Sequence, residues 1–175
     1  MNGWIAERNF RVEAKNKGYL VTKSTDQEDM FKHIDFFLEK DGKNISVDVK
    51  ARKKTSRSNS SYDDEYTWVE FQNVRGHRGW LYGDANYIVF ERKDDYIFID
   101  RERLLKFSLD AVNDIYVDSP REAIYKKYQR YQRDDVVSRI KLDHALDSEY
   151  FKGKPPMIWK KSNDESSSCH RDRQS

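Results

Sequence analysis

Residues 33–50 read HIDFFLEKDGKNISVDVK, two apolar-rich runs joined by Lys40-Asp41-Gly42-Lys43. Asp-Gly between apolar-patterned runs is a strong hairpin signal, and it predicts strands over roughly 31–39 and 44–51. In the second strand Ile45, Val47 and Val49 point one way, and Ser46, Asp48 and Lys50 the other. The hairpin can carry Asp35 towards the face shared by Asp48 and Lys50. Two carboxylates and an ammonium converging at a sheet edge suit the holding of a divalent cation beside a phosphodiester. The same pattern also suits an amphipathic edge hairpin with an ordinary surface ion pair.

The chain has 175 residues, enough for one domain with a real core and too few for two comfortable ones. Charged residues make up 37%, yet net charge is only +2, so any attraction to nucleic acid must come from local clustering. Aromatics at 14% argue for a packed core rather than disorder. A single cysteine, Cys169, excludes an intrachain disulfide framework and a cysteine-rich zinc site. No run approaches the roughly 20 apolar residues of a membrane helix, and no signal-peptide pattern opens the chain. A soluble, cytoplasmic protein without membrane contact is expected.

Outward from the hairpin, Ala6, Phe10 and Ala14 predict a helix over 4–17 with Gly18 as its stop, followed by a short strand at 19–21. Ser24 to Asp29 reads as a polar loop, and Thr55 to Ser61 as a mobile one. Trp68 to Phe71 resumes a strand, Gly76 to Gly83 is a glycine-punctuated loop leading into a helical turn, and 87–90 with 96–99 form a second hairpin. Asp100 can cap a helix around 102–107. Ser119-Pro120-Arg121-Glu122 predicts another helix to about Tyr131, and 136–142 a late strand. The fold class is α/β, with a central mixed sheet flanked by helices and C-terminal helical and strand additions. One domain over 1–161 and a disordered tail over 162–175 are expected.

With Asp35 on one strand and Asp48-Val49-Lys50 on the next, the helix–strand–hairpin unit resembles the core of the PD-(D/E)xK nuclease superfamily. The pattern is similar to archaeal Holliday-junction resolvases and restriction endonucleases, and covers roughly residues 4–90. Ile34 stands where the motif's proline would be, and Asp48 where resolvases usually carry glutamate. The resemblance implies a restriction-endonuclease-like core and a Mg2+- or Mn2+-dependent endonuclease or junction-resolving enzyme acting on DNA as a homodimer. Asp35, Asp48 and the Val49 carbonyl would hold the metal, with Glu7 supporting it from the first helix. Lys50 would orient the attacking water and stabilise developing charge.

Further residues fit a substrate. Arg52, Lys53 and Lys54 open a segment to Arg57 with no acidic residue, which reads as a phosphate-tracking loop or as a solvated charge run. Gln72 and, less directly, Glu70 alternate on the strand that follows. His77 and Arg78, within Gly76-His77-Arg78-Gly79, could meet phosphate on a loop packed by Trp80 and Tyr82. His33 would share the face of Asp35. Lys126 to Arg133 mixes basic and aromatic residues on an expected helix, either as a second nucleic-acid contact or as a helix with one solvated side. A nuclease-fold module that binds nucleic acid without cutting it, and a protein-interaction factor, are the alternative functions.

Overall fold

The computed structural model describes residues 3–54 and 62–162. Helix α1 (Gly3–Asn16) leads to β1 (Leu20–Lys23), β2 (Phe36–Lys40), β3 (Lys43–Lys50) and β4 (Tyr66–Gln72). After a 3-10 turn at Trp80–Tyr82 come β5 (Tyr87–Glu91), β6 (Asp95–Asp100) and α2 (Arg101–Ala111). The chain continues with β7 (Tyr116–Val117), β8 (Lys127–Tyr128), β9 (Val136–Lys141), α3 (Leu142–Asp147) and β10 (Met157–Lys160). Among these residues no helix is long and apolar enough to cross a membrane.

The expected central mixed sheet is present, in the order β1-β2-β3-β5-β6-β10. Only β3 and β5 run parallel within it; the other neighbours are antiparallel. A second, four-stranded sheet has the order β4-β9-β8-β7. The tight turn between β2 and β3 forms as the Asp-Gly signal requires. Asp41 at φ 52° and Gly42 at φ 74° supply the two left-handed residues of a primed turn.

Strand alternation assigns the two faces of the central sheet. Val47, Val49 and Val89 pack with Phe10 and Ala14 of α1, Phe98 and Trp159. The stacking of Phe10 on Trp159, at 5.8 Å between ring centroids, fixes the helix against β10. The opposite face carries Ile88, Phe90, Ile97 and Ile99 against α2 and the second sheet, through Leu104, Phe107, Val69 and Ile140. The parallel register sets Asp48 beside Ile88 and Lys50 beside Phe90. Both polar residues therefore sit on the face turned to the second sheet.

Several expectations are corrected. The hairpin is interior to the sheet, because β5 pairs along β3 on its far side, so the polar cluster is not at a sheet edge. The first hairpin strand begins at Phe36 rather than near 31, since 28–32 is one turn of π-helix. Thr25 and Glu28 close that turn as a reciprocal cap, each side chain accepting from the other's backbone N–H, at 2.9 and 3.2 Å. The helix expected over 119–131 is absent. Its start signal is real locally, for Ser119 Oγ accepts from Arg121 N. Beyond it the chain pairs with β9 instead: Arg139 N donates to Ala123 O, and Tyr125 N to Arg139 O. Burying Ala123 and making those bonds outweighs local propensity. The 55–61 loop, Arg57, Cys169 and the tail from 163 lie outside the described residues. Ser162, read as part of that tail, is instead tied to Glu13 through both its amide and its hydroxyl.

Candidate active site

The site forms where β3 leaves the central sheet for the second one. Asp35 lies just before β2, and its backbone is fixed on both sides. Its N–H donates to Val47 O at 2.9 Å and its carbonyl accepts from Ser24 N at 3.0 Å. Its side chain folds back so that Oδ2 accepts from Val49 N at 2.6 Å. A strand residue directs its N–H and C=O to the same side, so the Val49 carbonyl also points to the β2 side of the strand.

Asp48 is 3% exposed and Asp35 8%. Asp48 Oδ1 pairs with Lys50 Nζ at 2.7 Å, while its Oδ2 is buried with no N–H donor among the described residues. The two carboxyls sense each other directly. Burial, then the Asp48 charge, push Asp35 up to about 7. Burial also raises Asp48, against the pull of Lys50 and a hydrogen bond with Asp35. Asp95 shows what a structural carboxylate looks like at the same depth, 5% exposed. Arg92 and Lys160 both bind it, and despite burial these bonds hold it below the ordinary carboxylate range. Asp35 and Asp48 have Lys50 and the Val49 amide, which do not offset their burial, a pattern that marks functional sites more often than structural ones.

Lys50 is held above its ordinary value: burial pulls it down, and Asp48 and Asp35 more than offset that. It is therefore a fixed cation and not a proton acceptor at neutral pH. Its ammonium sits 5.0 Å from the centre of the Trp80 ring. Trp80 is brought there by the loop after β4, whose Gly79 is packed against the Glu70 backbone. A Cβ at residue 79 would fall 2.4 Å from the Glu70 carbonyl oxygen. Gly79→Ala should therefore lower stability by about 1–3 kcal/mol, the range for overpacking. Thermal unfolding should detect this, with Trp80 fluorescence shifting as the ring moves off Lys50.

Glu7 comes from the α1 side. Burial, then Asp35 and Asp29, raise its carboxyl, while Lys23 and Lys50 oppose them. Two acidic residues complete the surroundings. Asp29, on the π-turn, acts on Glu7, Asp35 and Asp48, and Glu70 acts on Lys50. Sequence reading assigned no role to Asp29; the Thr25-x-x-Glu28 cap that positions it is the signal that could have found it. His33, at φ 52°, ends the π-turn. Burial, then Lys50, lower its pKa against a ring hydrogen bond to the Arg78 carbonyl.

The proposed substrate residues divide. Lys53 senses Lys50 and Arg130; desolvation, then these like charges, hold it below its ordinary value. Arg52 turns away, bound through two nitrogens to Asp64 at 2.8 and 3.0 Å with Tyr62 over its guanidinium. Lys54 lies over the same ring. Gln72 does not reach the carboxylates, since a bulge follows Glu70 and its amide donates to the Asp134 carbonyl. His77 and Arg78 are exposed on the Asn73–Gly79 loop flanking the cleft, Arg78 over Tyr82.

Among the described residues no three histidine, cysteine, aspartate or glutamate side chains close into a complete metal cage. Two adjoining carboxylates with one orphaned oxygen still fit Mg2+, which is usually held by one or two carboxylates and waters.

No protein-family model matches this chain, and no curated protein matches it. Among solved structures, a bacterial homing endonuclease is similar over 59% of this chain and 70% of its own, with 18% sequence identity and a TM-score of 0.43.

Proposed function

We propose that this chain is a metal-dependent nuclease of PD-(D/E)xK type that hydrolyses phosphodiester bonds in DNA, as an endonuclease or junction-resolving enzyme. One observation carries this reading. Asp48 is buried with one oxygen on Lys50 and no N–H donor among the described residues on the other. Asp135 and Glu91 share that pairing with a cation, but Asp48 also lies beside a second buried carboxyl whose pKa is raised. Leaving a buried carboxylate oxygen unpaired costs stability unless it has a ligand.

Asp35, Asp48 and the Val49 carbonyl would hold Mg2+ or Mn2+, with Glu7 and Asp29 adding negative charge around them. A metal bound there supplies a water of lowered pKa and neutralises phosphate charge. Lys50, kept cationic by Asp48, orients that water and stabilises charge developing on the phosphate. Trp80 restricts the ammonium from one side. Lys53, Arg78 and His77 meet the DNA backbone.

The test is incubation of the protein with duplex, branched and single-stranded DNA, with and without Mg2+ or Mn2+, beside Asp48→Ala and Lys50→Ala. Metal-dependent cutting lost in both variants is the expected result. Salt-sensitive binding with no cutting under any condition would replace this reading with a non-cleaving binding module.

Metal binding should also displace the proton that Asp35 retains. Its affinity for Mn2+ is expected to rise about tenfold per pH unit below about 7 and to level off above. Calorimetry in two buffers of different ionisation heat would show protons released at pH 6 and few at pH 8. An affinity that ignores pH would remove Asp35 from the ligands.

A further inference from the structure

The turn at 129–134 is built more firmly than an exposed loop needs. Arg130 pairs with Asp135, which is fully buried. Gln129 Nε2 donates to Arg133 O at 2.9 Å, and Arg133 N to Arg130 O at 3.1 Å. Gln132 holds a left-handed conformation at φ 56°. At the tip of this braced turn Tyr131 is 88% exposed. A rigid aromatic side chain presented this way loses little entropy on binding a flat partner.

The turn adjoins the loop beside the active site. Gln72 on β4 donates to the Asp134 carbonyl, and a Cβ at residue 76 would lie 3.7 Å from the Asp134 Cβ and 3.9 Å from Gln72 Nε2. The Asn73–Gly79 loop is itself fixed, as Asn73 Oδ1 accepts from both Arg75 N and His77 N. Across the two loops Arg75, Arg78 and Arg133 are exposed and make no ion pair among the described residues. Asp134 is the acidic side chain between them. Lys53 bridges the arrangement, sensing Lys50 on one side and Arg130 on the other. Unpaired arginines beside an exposed aromatic ring match a phosphate backbone with an accessible base.

We infer that the two loops form one DNA-contact arm, in which Tyr131 stacks on an unpaired base while Arg75, Arg78 and Arg133 hold neighbouring phosphates. This rests on the nuclease reading and narrows its substrate to DNA with a bulge, branch or other interruption near the cut. An uninterrupted duplex offers no free base face, and extruding a base costs energy that a mispaired or unpaired one does not. Stacking discriminates little among the four bases, so the arm reads the interruption and not the sequence. Gln72 acts here as a positioning residue, joining the arm to the strand that carries Glu70.

The test compares binding of the full chain to a labelled duplex with one unpaired adenine and to the same duplex without it. Divalent metal is omitted and salt kept low, with anisotropy as the readout. The wild-type protein should favour the bulged duplex by about tenfold, and Tyr131→Ala should remove that ratio. Tyr131→Phe should retain it, because stacking needs the ring and not the hydroxyl. Arg133→Ala should weaken both DNAs alike and reduce the salt slope by about one. A bulge preference that survives Tyr131→Ala, or is lost equally in Tyr131→Phe, overturns the stacking role. Wild-type protein binding both DNAs equally sinks the inference and leaves the nuclease reading standing. Wild-type protein binding neither DNA sinks both.

Discussion

Asp35→Asn should abolish metal-dependent cleavage and raise the melting temperature at pH 8 in the same variant. The wild-type carboxyl holds its proton up to about pH 7, against an ordinary value of 3.8. The folded state thus binds a proton that the unfolded chain has released. That contribution to stability is complete below about pH 4 and is lost as pH rises through about 7. At pH 8 the native protein carries two buried carboxylates side by side. An asparagine of the same shape keeps an oxygen for Val49 N and can donate its amide to Asp48 Oδ2, which has no N–H donor among the described residues. The gain at pH 8 should be on the order of 2–4 kcal/mol, about 5–15 °C for a chain of this size. Near pH 4 the two proteins should melt together. Cleavage should fall on the order of a thousandfold, because metal ligation is worth several kcal/mol in the transition state. A variant less stable than wild type at pH 8 would instead make Asp35 a structural acceptor for Val49.

That trade of stability for a poised site is only partly legible in the chain. Alternation places Asp48 and Lys50 on one face, and the Asp41-Gly42 turn closes the hairpin, because both are decided within a few residues. Helical spacing puts Glu7 on the first helix, and only the family resemblance assigns it to the site. Nothing local reveals that β5 pairs with β3 in parallel and buries the hairpin, or that β4 belongs to another sheet and so presents Glu70 to Lys50 from across the cleft. Arg52 looks like a phosphate contact in the sequence because the run from Lys50 is basic. Its partner Asp64 lies twelve residues on, where sequence gives no distance. Strand β10 also escapes sequence reading: it is four residues long, and only the burial of Trp159 against Phe10 gives it a reason to form. The helix expected over 119–131 fails for the converse reason, since a good local start signal loses to pairing with β9.

Lys50→Met should move stability in the opposite direction from Asp35→Asn, although both variants lose activity. The ammonium is the one cation bound to Asp48 among the described residues, at 2.7 Å, and methionine can occupy the place against Trp80 without supplying charge. Breaking a buried ion pair by removing one partner typically costs about 3–5 kcal/mol, because the remaining charge is left uncompensated. Here the carboxyls can escape part of that cost by holding protons to higher pH. The loss should therefore be small near pH 5 and grow towards pH 8. Cleavage should fall by about a hundred- to a thousandfold, the range for removing one preorganised group from developing charge. Two measurements separate this account from simple damage to the fold. Added Mn2+ should raise the melting temperature of Lys50→Met more than that of wild type, since the metal no longer competes with an ammonium, while cutting stays absent. Adding Asp35→Asn to the same protein should recover much of the stability at pH 8, because the two substitutions act on one cluster and their effects cannot be additive. Equal losses at every pH, with no response to Mn2+, would show that Lys50 supports packing rather than the charge balance of a metal site.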